Sequence, residues 1–184
     1  MFMRTRRLTL RPGWAEDAPE LAAAIGHQDV ARMLGRMPWP YSLSDAESFL
    51  ATEKREGAGF LICSREGDDA PIIGGIGFGP HDDRPHELGY WLTPAAWGNG
   101  YATEAGLAVI ELARALGVPR LTAGHFVDNP ASGKVLRKLG FQPIATHNRY
   151  SLGRDAWTPC AEYALQLRSE PDHGGDEQDA RLAA

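Results

Sequence analysis

The stretch ELGYWLTPAAWGNGYATEA, Glu87–Ala105, passes through three patterns in quick succession. Leu88, Tyr90 and Leu92 recur at every second position, the period of a strand, and Pro94 ends it. Ala95 to Gly100 are small or turn-forming apart from Trp97. From Tyr101 to Leu116 the chain is rich in alanine and leucine and reads as the longest helix, stopped by Gly117 and Pro119. Leu107, Val109, Ile110, Leu112 and Leu116 spread over more than one face, so that helix is expected to be well buried. A strand that turns through glycines into a helix start leaves unpaired N–H groups converging at the turn, where the helix dipole favours an anion. Gly98 and Gly100 allow backbone to approach phosphate oxygens closely. A plain structural cap is the alternative, and the residues alone leave both open. The dinucleotide fingerprint is excluded because no glycine stands at its sixth position, and the Walker pattern because no Lys-Ser/Thr pair follows.

Upstream, RRLTLRP alternates as a first strand through Leu8 and Leu10. DAPELAAAIG follows as a helix with Asp17 as cap, Glu20 three residues on and Gly26 as stop. A short helix is expected through Val30–Met33. Pro38–Leu43 is a stiff loop carrying Trp39 and Tyr41, either a packed connector or a wall on the substrate side. Ser44 and Glu47 read as a capping box for a helix to about Glu56. Phe60–Ser64 and Pro71–Gly79 form a hairpin turning at Gly67–Asp69, and its many glycines imply twist or close backbone approach. PHDDRPH reads as a loop. Downstream lie a strand over Arg120–Val127 and a helix in DNPASGKVLRKLG, capped by Asn129 or Asp128 and closed by Gly140. Two more strands lie in FQPIATHNRY and AEYALQL, with a turn at Gly153. The order implies an α/β fold, a mixed sheet covered by helices, with Glu87–Leu92 and Arg120–Val127 parallel through a helical crossover.

The 184 residues are read as one domain over 1–168 followed by an acidic, disordered tail over 169–184. The tail holds five acids and one base, so it carries −4 of the net −5 and leaves the rest nearly neutral. That balance argues against nucleic-acid binding. The absence of a long apolar run argues against a membrane span, and the N-terminus lacks a secretory signal, so a cytoplasmic location is expected. Cys63 and Cys160 imply no disulfide framework, with Cys63 a buried thiol. The six histidines show no metal spacing, so no metal is expected.

The motifs RLTLRP, PYSLSDAESFL, ELGYWL, WGNGYATEA and DNPASGKVLRKLGF, in this order over about Arg7 to Leu167, resemble the GCN5-related N-acetyltransferase (GNAT) superfamily. Gly100, Tyr101 and Ala102 match the end of that family's glycine loop, while Trp97 stands where Gln or Arg is usual. The Trp form resembles the branch of ribosomal-protein N-terminal acetyltransferases, the RimJ and RimL type. The resemblance implies a splayed central sheet flanked by helices, with acetyl-CoA as acetyl donor and no metal. Its diphosphate is expected on the backbone of Trp97, Gly98, Asn99, Gly100, Tyr101, Ala102 and Thr103. Its pantetheine arm is expected beside Tyr90, Trp91 and Leu92, as an added strand, with contact to Asn129.

Direct transfer of the acetyl group to an amine needs a base, oxyanion donors and a group that stabilises the leaving thiolate. Glu87 is the candidate base, against the plainer reading of a carboxylate at a strand end. Backbone N–H groups near Tyr90–Leu92 are candidate oxyanion donors. The tyrosine usual in the family's last helix is replaced by Leu136, so the resemblance points to Ser132 at the thiol, with Asn129 beside it. Both also suit a helix cap. Trp39, Tyr41, Tyr150 and Trp157 are expected on the acceptor side. The acceptor is a protein N-terminus or a small amine, and a homodimer is among the expected states. An interaction module that binds coenzyme A without catalysis is the competing class, motivated by Leu136 and Trp97.

Overall fold

The computed structural model describes residues 1–52, 57–67 and 69–168. Eight strands form one sheet: β1 (Met3–Arg4), β2 (Leu8–Arg11), β3 (Ala58–Ser64), β4 (Ile72–His81), β5 (Arg84–Leu92), β6 (Arg120–Phe126), β7 (Gln142–Ser151) and β8 (Ala156–Gln166). Their spatial order is β1-β2-β3-β4-β5-β6-β8-β7. Every neighbouring pair is antiparallel except β5 and β6, which run parallel as expected. The helices are α1 (Ala18–Ile25), α2 (Gln28–Ala31), α3 (Leu43–Ala51), α4 (Tyr101–Ala115) and α5 (Pro130–Lys138). This is the mixed α/β sheet flanked by helices that the order of elements implied.

The period-two pattern sorts side chains to two faces. Phe60, Ile62, Ile76, Phe78, Leu88 and Leu121 form one core with α4 and α5. Leu61, Cys63 and Ile72 form the other with α1, α2 and α3. Burying each large aliphatic or aromatic side chain is worth about 1.5–3 kcal/mol. The glycines of β4 fit indole packing and twist: a Cβ on Gly75 would lie 2.5 Å from Trp91 Nε1, and one on Gly77 2.4 Å from the Ala58 carbonyl.

Several local readings are corrected. Asp17 does not cap α1. Its carboxylate accepts from both Nη atoms of Arg11, at 2.7 and 2.8 Å, and from the Trp14 N–H at 2.8 Å. Glu20 instead accepts from the Ile72 N–H. The capping box of α3 is Ser42 with Asp45, two residues before the expected pair, because Ser42 holds the extended backbone a cap needs. The stretch to Glu56 runs beyond the described residues. PHDDRPH is not a loop: β4 continues to His81, pairs with Arg84, and turns through Asp82 and Asp83 with Asp82 at φ 53°. Leu107 and Leu116 lie on the solvent side of α4, whose inner face is Ala102, Ala105, Gly106, Val109, Ile110, Leu112 and Ala113. Gly106 makes room for Leu139, whose Cδ1 would lie 2.6 Å from a Cβ there. The tail 169–184 falls outside the described residues.

The Arg11–Asp17 pair has a pH signature. The Arg11 hydrogen bonds hold the Asp17 carboxyl below the usual carboxylate range, against the opposing effect of burial. A depressed pKa stabilises the fold above the unfolded value, about 3.9, and that gain is lost as pH falls through the folded value. Thermal melts of Asp17→Asn should therefore lie below wild type near neutral pH and converge with it as pH falls through the carboxyl's depressed folded value. A gap that stays constant to acid pH would show that the pair contributes no charge-dependent stability.

Candidate active site

The centre of the sheet opens. β5 and β6 pair only at Glu87–Thr122 and Leu88–Ala123. Beyond that point β5 follows β4 to Leu92 while β6 follows β8 to Phe126. A gap is left between Gly89–Leu92 and Gly124–Phe126. The Thr93 N–H donates to the Ile73 carbonyl. By strand alternation, Trp91 and Gly89 turn their backbone groups to β4, and Tyr90 and Leu92 turn theirs to the gap. Of the three residues expected beside the pantetheine, Tyr90 and Leu92 thus offer backbone there. Trp91 packs its indole over Gly75 instead.

Trp97 explains itself here. Its Nε1 donates to the Leu92 carbonyl at 2.8 Å, pinning the glycine loop to the end of β5. Gly98 and Gly100 have φ of 78° and 79°, in the left-handed region that favours glycine, and Gly100 is the N-cap of α4. The amides of Tyr101, Ala102 and Thr103 lie in the first turn of α4, where helix geometry supplies no carbonyl partner. The Asn99 side-chain amide donates to the Trp97 carbonyl at 3.1 Å. Glu104, an acid in the first helical turn, is occupied by the N-terminal strand region. It accepts from Thr5 Oγ1, the Arg7 N–H and Arg7 Nε at 2.6–2.8 Å. The Arg7 guanidinium also lies 4.6 Å over the Tyr101 ring, and its Nη2 is 3.7 Å from where a Cβ on Gly100 would sit. The loop is therefore a row of backbone donors with the guanidinium of the Arg7–Glu104 ion pair alongside. Arg7 was missed because a basic cluster at the N-terminus gives no sign that it will fold against residue 104.

Across the gap, Asn129 caps α5 by accepting from the Ser132 N–H at 3.2 Å. Ser132 Oγ lies 2.7 Å from the Tyr90 hydroxyl. Burial pushes the Tyr90 phenol up to about 12. Leu136 is fully buried in the core. The one phenol that meets Ser132 among the described residues therefore comes from β5.

On the opposite face, Glu87 is held by Arg149 in a bidentate pair, Nη1–Oε1 2.7 Å and Nη2–Oε2 2.9 Å. His81 Nε2 is 3.7 Å and Arg84 Nη1 3.8 Å from the same carboxylate. Glu162 of β8, which sequence reading placed in a plain strand, is a second buried carboxylate. It pairs with Arg84, and its Oε1 lies 3.4 Å from His147 Nδ1. Burial lowers the pKa of both His81 and His147, so both are mainly neutral near pH 7. Above these groups opens a cavity of about 540 Å³ lined by His81, Arg84, His147, Arg149, Tyr150 and Trp157 among others. Tyr150 and Trp157 stack edge to face at 5.7 Å. Trp39 and Tyr41 are not part of that lining; Tyr41 packs against the core of α1–α3. Among the described residues no group of three or more His, Cys, Asp or Glu side chains is arranged to hold a metal ion.

Two chemically distinct regions thus lie on the two faces of β5. One is a backbone-lined cleft with a glycine loop on the α4–α5 face. The other is an ionised cavity on the far side of β5. A family model described as an acetyltransferase (GNAT) domain matches residues 7–142. YoaA of Bacillus subtilis, an uncharacterized N-acetyltransferase, is 33% identical over 157 residues, 81% of this chain and 87% of that protein. An acetyltransferase (GNAT family) structure from Bacillus anthracis superposes with a TM-score of 0.76 at 20% identity, over 91% of this chain and 99% of that one. RimL, a ribosomal L7/L12 α-N-protein acetyltransferase solved with coenzyme A, gives 0.74 at 18% identity, over 90% and 98%. The splayed sheet and its glycine loop are accordingly those of an acetyltransferase fold, and the chain belongs to the GNAT family.

Proposed function

We propose that this protein transfers the acetyl group of acetyl-CoA directly to a primary amine. The observation that carries the reading is the gap between β5 and β6, with the Trp97–Thr103 loop at one end and Glu87 at the other. In this reading the loop amides, aided by Arg7, hold the diphosphate. The backbone of Tyr90 and Leu92 takes the pantetheine arm as an added strand and supplies N–H donors to the carbonyl oxygen. The acceptor enters through the cavity on the opposite face, past Tyr150 and Trp157. Its nitrogen attacks the thioester carbon as the C–S bond breaks. Glu87 takes the nitrogen's proton through water, its oxygens keeping free lone pairs beside the Arg149 hydrogen bonds. Ser132, with Asn129 setting its helix start, faces the departing sulfur.

For the acceptor we favour the N-terminal amine of a protein, as in the RimJ and RimL branch. Support comes from the loop form with Trp97 and from a cavity larger than a simple amine needs. Incubation with acetyl-CoA and a panel of free-N-terminus peptides and small amines, read by intact mass, should show addition of one acetyl group. Coenzyme binding with no acetylation of any acceptor would instead support a binding module. With the accepted amine, Glu87→Gln should lower kcat/KM by about 10²–10⁴-fold near neutral pH. That loss should shrink as pH approaches the amine's own pKa, where free amine needs no base. A loss independent of pH removes Glu87 as base.

A further inference from the structure

Tyr90 sits on β5 where the sheet has already parted, and its side chain crosses to the start of α5. Its hydroxyl is 2.7 Å from Ser132 Oγ and 3.2 Å from the Ser132 carbonyl. The hydroxyl of Ser132 is thus met by a second hydroxyl from across the gap, while its backbone N–H is fixed by Asn129. We propose that Tyr90 is a positioning residue for Ser132, donating to its Oγ so that the serine's own proton is directed at the coenzyme sulfur. This rests on the acetyl-CoA reading above and adds to it the group that sets the polarity of the thiol site.

The direction follows from donor strength. A phenol is a far better donor than an alkyl hydroxyl, and of the two acceptors competing for its one proton, the Ser132 carbonyl at 3.2 Å and Oγ at 2.7 Å, the closer is Oγ. A serine that accepts from the phenol has its single proton free for another acceptor. The phenol is not itself the acid. Burial holds it up to about 12, well above an ordinary thiol near 8.5, so its proton stays in place when the C–S bond breaks. The sulfur leaves with the bond's electron pair as a thiolate. Ser132 donates a hydrogen bond to it and keeps its proton, and the thiolate later takes a proton from water. A hydrogen bond to a charged group of this kind contributes about 1.5–3 kcal/mol, equivalent to a shift of about one to two pKa units.

The test needs no acceptor. Coenzyme A is bound to the full-length protein and the ultraviolet absorbance of its thiolate is followed against pH. Affinity for desulfo-CoA, which lacks the sulfur, is measured alongside. In wild type the bound thiol should titrate below its free value. Tyr90→Phe and Ser132→Ala should each raise it by about one to two units, the double variant should go no higher, and affinity for desulfo-CoA should stay within about twofold. Placing 3-fluorotyrosine at position 90 keeps the fold and makes a stronger donor, so it should lower the thiol pKa further. A Tyr90→Phe thiol that titrates like wild type overturns the proposal. So does a loss of desulfo-CoA affinity matching that for coenzyme A, which would make the contact a structural strap. Wild-type protein that binds neither ligand would overturn the acetyl-CoA reading and this inference with it.

Discussion

Replacing Arg149 with Met lowers the free energy of unfolding by about 3–5 kcal/mol, the usual cost of leaving a buried charge without its partner. Only 10% of the Glu87 side chain and 14% of the Arg149 side chain are exposed, and the pair is bidentate. Met keeps much of the volume of Arg149 while removing both hydrogen bonds. The Arg84 guanidinium remains 3.8 Å from Glu87 and compensates in part, so the loss should fall toward the lower end of that range. Chemical denaturation at neutral pH measures it, with an unchanged m-value showing that the same cooperative unit unfolds. Adding Glu87→Leu to Arg149→Met should recover most of the stability, because an apolar pair of similar volume avoids the desolvation that both charges require. A single-variant loss below about 1 kcal/mol would mean that Glu87 is solvated and gains little from Arg149. It would also free Glu87 from the fixed orientation that the proposed base role assumes.

That pair also marks what the sequence could reveal. The strand, glycine turn and helix of Glu87–Ala105 were legible because each rests on local chemistry: alternation, left-handed glycines, and a run of good helix formers. The parallel pairing of β5 with β6 followed from the intervening helix alone. The partner of Glu87 did not, since Arg149 lies 62 positions away and meets it only because β7 reaches the site through β8. Arg7 beside Gly100, Tyr90 against Ser132, and Glu162 beside Arg84 are hidden for the same reason. Each pairing depends on sheet order, and no periodicity encodes it. Trp39 and Tyr41 show the converse, since aromatic residues in a proline-bounded loop signal burial or binding alike. Only the packing of Tyr41 on the α1–α3 core separates the two.

The glycine loop offers the second large effect. Gly100 at φ 79° is the N-cap from which α4 starts, so its conformation aims the amides of the first turn. A β-branched side chain is strained in that region, by about 1–3 kcal/mol. Gly100→Val can relax only by rotating the peptide or drawing the loop away from the Leu92 carbonyl that Trp97 holds. Rotation misdirects the amides, and the added side chain also approaches Arg7 Nη2. Affinity for coenzyme A should then fall by about ten- to hundredfold by calorimetry, since each tenfold corresponds to about 1.4 kcal/mol. Binding of acetylated pantetheine, which has the arm but no diphosphate, should change little, because Tyr90 and Leu92 lie outside the loop. Equal losses for both ligands would place the damage in the fold of α4 and not in an anion site. Unchanged affinity for coenzyme A would leave Gly98 and Gly100 as turn residues only, the alternative their sequence left open.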